Sequence, residues 1–244
     1  MSQTQITTVS SAMRVMAHAR WELRLLLRNG EQILLMLVIP IALLVALGLA
    51  RKGEINETVP TVIAVSLMAT CFTSLAIGTG FERRAGALRF LATTPLTRLN
   101  LLLAKFIAMA VLAAMSITAI VLVALTMGWH PQAQVAGVMG AVILGGAACS
   151  AWAVYLAGAL RAEAVLALAN GIFILLMVFG GVVIPASDMP GVIGQVVAFL
   201  PSAALADALR ASLGNGLFPA MELAILLVWA VIAAVLARRT FSWD

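Results

Sequence analysis

Few side chains in this 244-residue chain are of the kinds that do chemistry, and their spacing is informative mainly for what it excludes. His18 and His130 are the only histidines, and neither has a ligand partner nearby in sequence. Cys71 and Cys149 lie in apolar runs with no metal-ligand spacing and no disulfide framework, so both read as small core residues. Only two lysines occur. Lys52 precedes Gly53 and Lys105 precedes Phe106, so the GxxxxGK[ST] loop that cradles a nucleotide phosphate is absent. The acids sit at the ends of apolar runs or between them. An ion-driven transporter is expected to bury a carboxylate at mid-membrane, where a charge costs roughly 3 kcal/mol. No Ser/Lys or paired-carboxylate constellation suggests an intramembrane enzyme. What remains is recognition by charge. Five of the fifteen basic side chains, Arg83, Arg84, Arg89, Arg98 and Lys105, crowd into the stretch Phe81 to Lys105.

Hydrophobic residues make up 63% of the chain and charged residues 10%, against about a quarter charged in soluble domains. Several apolar runs exceed the roughly 18 residues of a membrane-crossing helix. Runs this long do not alternate as barrel strands do, so the class is all-α and polytopic. Six transmembrane helices are expected, at about 33–50, 59–80, 99–127, 134–160, 164–184 and 219–237, with a kink at Pro40. Before them, residues 1–30 hold a loose polar start and an amphipathic helix over about 12–28. Arg20, Arg24 and Arg28 form its polar stripe, and Asn29-Gly30 stops it. Residues 31–244 form one transmembrane domain. Gly137, Ala141 and Gly145 form a small-residue stripe for close helix packing. Residues 186–217 are too broken to span, holding Asp188, Pro190, Pro201, Asp207 and Arg210. They read as two short helices, capped by Ser187 or Asp188 and by Ser202.

Within residues 81–98, Phe81, Ala85, Leu88, Leu91 and Ala92 share one helical face. Glu82, Arg83 and Arg89 point away from it, Arg84 lies at its edge, and Thr94-Pro95 ends the helix. Two readings fit: a short helix lying on the membrane surface, or a basic loop that only sets topology. Lys105, about 10 Å along a helix from Arg98, is placed to snorkel back to the surface. With the N-terminus inside, twelve basic residues fall on inner segments: Arg14, Arg20, Arg24, Arg28, the central five, Arg161, Arg238 and Arg239. Arg51, Lys52 and Arg210 are the three outside. Both termini are therefore expected in the cytoplasm. The basic residues suit anionic lipid headgroups, and nucleic acid is not an expected partner.

Glu82-Arg83, Gly86, Leu88, Leu91, Thr94-Pro95-Leu96-Thr97 and Lys105 resemble the cytoplasmic loop of the type-2 permease subunits of ABC exporters. That loop runs roughly E-[RK]-E-x-G-T-L-x-x-L-x-x-T-P-[LM]-[ST], followed by a Gly-Lys. Arg84, Ala87 and Ala104 depart from it. Arg28-Asn29 resembles the end of the family's connecting helix. The stretch from Ile184 to Arg210, with its Asp-Ala-x-Arg ending, resembles the external re-entrant hairpin of drug-exporter members. The resemblance implies that residues 81–98 are a coupling helix docking into a separate ATPase. Glu82, Arg83, Arg84 and Arg89 would then meet that subunit, Leu88 and Leu91 would hold the helix to its own domain, Gly86 would permit close backbone approach, and Thr94-Pro95 would fix the angle into the third span. It further implies two ATPase copies, a second identical or related permease, ATP and Mg bound only by the partner, an inner-membrane location, and export of an amphiphilic, drug-like or lipid-like cargo. The chain itself is then not an enzyme. A haem-export or cytochrome-biogenesis subunit, a non-transporting scaffold and an autonomous channel are the alternatives.

Overall fold

The computed structural model describes residues 10–50, 55–94 and 96–240, with residues 31, 32 and 35 described for their backbone alone. The expected loose N-terminal start, the loop bearing Arg51 and Lys52, and Pro95 lie outside the described residues. Among those described, every regular element is helical: α1 (Ser11–Arg28), α2 (residues 30–50), α3 (Ile55–Arg84), α4 (Ala87–Ala92), α5 (Arg98–Thr126), α6 (Val135–Ala159), α7 (Ala162–Phe179), α8 (Gly191–Ala198), α9 (Pro201–Gly214) and α10 (Ala220–Thr240). The chain is an all-α polytopic membrane protein.

Among the described residues, five helices, α3, α5, α6, α7 and α10, are long and apolar enough to cross a membrane. The expected first span corresponds to α2, which is helical from residue 30 to residue 50. Its apolar stretch, Met36–Ala50, is shorter than the other five. Contacts nevertheless carry α2 the length of the bundle. It begins beside α1, and a side chain at Gly48 would meet Met127 just past the end of α5. Pro40 lies inside α2 and cannot donate to the Met36 carbonyl. A five-residue π turn, Leu34–Val38, precedes it, and the Met36 carbonyl accepts a bond from Ser116 Oγ on α5 at 2.7 Å. Ser116 in turn pairs with Ser66 on α3 at 2.7 Å, so these hydroxyls serve packing.

α3 is the central post. Nearly every side chain from Thr58 to Met68 is buried, and its own π segment, Ala69–Ser74, lies at mid-length. Around it the helices approach through small residues, as they must where lipid gives apolar side chains no reason to leave the surface. The Gly137–Ala141–Gly145 stripe fits this expectation. A Cβ at Gly137 would strike Ser212 Oγ and one at Gly145 would strike Leu205 at 2.6 Å, both on α9. α6 and α10 run parallel, with Gly140 against Leu223 and Trp152 against Trp229.

Two boundaries moved. The fifth span is shorter than expected, because α7 stops at Phe179 and Gly181 turns with φ of 80°. Arg238 and Arg239 lie inside α10 rather than in a tail. The hairpin is present as α8 and α9, bent by 84°. Its expected serine and aspartate caps are absent. Pro190 and Leu200 precede the helices, Pro201 opens α9, and Ser202 donates to the Gly180 carbonyl instead.

Candidate coupling site

The charged stretch starts on the last turn of α3, which runs unbroken through Phe81 to Arg84. The expected single surface helix is broken at Gly86, whose φ of 76° is left-handed. A Cβ there would meet nothing within 4 Å, so Gly86 serves the turn and not a close approach of backbones. The turn re-aims α4, which is why the expected apolar face divides. Leu88 is fully buried and Leu91 partly so, whereas Phe81, Ala85 and Ala92 are exposed. Thr93 and Thr94 close α4 by donating their hydroxyls to Phe90 O at 2.7 Å and Leu91 O at 2.6 Å. Thr97 then caps α5 by accepting from the Asn100 amide.

The charges on this stretch turn inward. Lys105, expected to snorkel, is 1% exposed and lies between two carboxylates. Its Nζ is 2.6 Å from Glu22 Oε1 on α1 and 2.7 Å from Glu82 Oε2 at the end of α3. Length explains the correction: a side chain seven residues into α5 meets α1, which covers that face before water is reached. One ammonium therefore joins the N-terminal helix, the central post and α5. Arg83, expected to face a partner, donates Nη1 to Ala157 O at 3.2 Å and Gly158 O at 2.9 Å, the last carbonyls of α6. Arg84 pairs with Glu163 at the start of α7. Arg89 projects outward from α4.

Glu22 and His18 are the residues that sequence reasoning missed. The signal was present: Val15, His18, Ala19 and Glu22 form an i, i+3, i+4, i+7 stripe, and all four are buried against α5. His18 Nε2 is 3.9 Å from Glu22 Oε2, and its ring stacks on Trp21. Burial holds the imidazole below its ordinary pKa; Glu22 opposes that shift and Lys105 adds to it.

The opposite end of the bundle has its own cluster. Arg210 on α9 bonds Asp207 at 2.7 Å, Thr61 Oγ1 at 3.1 Å, and the carbonyls of Gly181 and Val182. Glu57 approaches at 3.8 Å. Arg210 thus fastens the hairpin to the start of α3, while Asp188 and Pro190 lie on the exposed turn before α8. Among the described residues no group of histidine, cysteine and acid side chains could hold a metal ion. No curated protein matches the sequence. A family model described as ABC-2 family transporter protein matches residues 51–239, from before α3 to the last turn of α10. The chain belongs to the ABC-2 family of transporter proteins.

Proposed function

We propose that this chain is the permease subunit of an ATP-driven exporter, with a separate ATPase docking on the α4 end. The observation that carries the reading is the junction at Lys105, where α1, the end of α3 and the start of α5 meet in one buried charge cluster. A push on α4 would be delivered through Gly86 to α3 and through Thr97 to α5, both held rigid by that cluster. Docking would then rest on the outward face of α4, where Arg89 and Phe90 are exposed, rather than on Glu82 or Arg83. Thr94 and Pro95 would set the angle into α5. The hairpin bearing Asp188, Pro190, Pro201, Asp207 and Arg210 would form the external lid.

Two permease copies and two ATPases would form the working unit in the inner membrane, with both termini cytoplasmic. Apolar spans carrying scattered hydroxyls suit an amphiphilic, drug-like or lipid-like cargo. A photoreactive residue at Phe90 should crosslink to the ATPase subunit in the assembled complex, and one at Val192 in α8 should not. Capture from Val192 alone would rule out this docking face.

A further inference from the structure

Beside the coupling turn, α3, α4 and the two-residue link between α6 and α7 enclose a cleft of about 460 Å³. Arg83, Arg84, Arg89 and Arg161 line it, with Glu163 as the single acid. Glu163 is already matched by Arg84, and Arg83 is held by the carbonyls of α6. The side chains of Arg89 and Arg161 are exposed and have no partner among the described residues. The first turn of α7, which borders the cleft, has no side-chain cap, so its amide donors add to the positive field. A cleft of this charge takes an anion, and the planar guanidinium fork pairs bidentately with two oxygens of a phosphate.

The depth of the cleft says where such a phosphate would come from. α7 has only 18 residues, about 27 Å of helix, against a hydrocarbon core of about 30 Å. All of α7 is therefore needed to cross, and Arg161 and Glu163 at its start must lie at headgroup level. The side of α7 that follows is open to lipid, with Leu166 and Leu168 exposed. We infer that this cleft binds the phosphate headgroup of an anionic phospholipid from the leaflet on the arginine-rich side, wedged between the coupling turn and the α6–α7 link. This inference rests on the membrane placement of α7 and not on ATPase docking, so it stands or falls separately from the exporter reading.

The test uses the full chain in nanodiscs of phosphatidylcholine with a minority of phosphatidylglycerol, released into native mass spectrometry to count retained lipids. The wild-type chain should retain phosphatidylglycerol over phosphatidylcholine. Arg89→Gln/Arg161→Gln should lower that preference by about twenty-five-fold, taking each arginine near the surface at about fivefold. The control Arg20→Gln/Arg24→Gln removes the same charge from the exposed stripe of α1 and should leave the preference intact. Equal loss in both double variants would reduce the effect to general charge and overturn the site. Unchanged retention in Arg89→Gln/Arg161→Gln would also overturn it, leaving an acidic protein segment as the occupant the charge fits. Inorganic phosphate added before release should compete weakly. If it displaces the lipid completely at low concentration, the site belongs to a soluble phosphate and the lipid assignment is wrong.

Discussion

At the scale of single residues, the charge balance around Lys105 holds α1, α3 and α5 together. One ammonium faces two carboxylates, and all three are largely withdrawn from water. Lys105→Met would leave Glu22 and Glu82 facing each other unpaired, a loss of about 3–5 kcal/mol by analogy with broken buried pairs. The triple variant Glu22→Gln/Lys105→Met/Glu82→Gln removes every charge together and should recover most of that loss. Thermal unfolding in detergent measures both, and a triple variant no more stable than Lys105→Met would show that the charges do not act as a unit. His18 adds a pH dependence. Its folded pKa lies below the ordinary value, so its contribution to α1 docking is present above about pH 6.5 and is lost as pH falls through the folded value. The groups facing it are Glu22, Lys105 and Trp21. Hydrogen exchange in α1 should therefore accelerate on going from about pH 7 to about pH 5, after correction for intrinsic rates, and His18→Gln should flatten that change.

At the scale of elements, two glycines do different work. Gly181 turns the chain after α7 with φ of 80°, and a Cβ there would lie 2.5 Å from Ala203 Cβ on α9. Gly181→Val combines backbone strain with overpacking and should cost about 2–5 kcal/mol, read as a drop in melting temperature. Gly86 has the same backbone sign but open space, so a side chain there strains only the turn, by about 1–2 kcal/mol.

The elements also show how far the sequence could be read. The long spans were legible because apolar length is a one-dimensional signal, and the ends of α5 and α6 fall within a residue or so of expectation. The hairpin was legible because Pro190 and Pro201 interrupt an apolar run. The Gly86 break was not, because a glycine within a helical periodicity gives no sign of its φ. The burial of Lys105 was not, because the side chain that satisfies it, Glu22, is 83 residues away and belongs to a different periodic stripe. Arg210 was expected in the second helix of the hairpin, but its partners Thr61 and Val182 are brought to it only by packing.

At the scale of the whole molecule, the two charge clusters lie at opposite ends of α3. Glu82 is at one end and Thr61, with Glu57, at the other. α3 thus joins the turn at Gly86 to the hairpin as one continuous helix. Single cysteines at Asn56 and Gly214, in a background without Cys71 and Cys149, should label from outside intact cells. One at Arg89 should label only after permeabilisation, and the reverse pattern would invert the topology.

The central claim is that the turn at Gly86 passes ATPase motion into α3 and α5. Gly86→Val tests it most directly, because it alters the turn without touching a packed neighbour. Reconstituted with its ATPase in vesicles, the variant should assemble as wild type by pull-down and hydrolyse ATP, while cargo transported per ATP falls several-fold. Assembly, hydrolysis and transport all at wild-type ratio would contradict the account and leave residues 81–98 a loop that only sets topology.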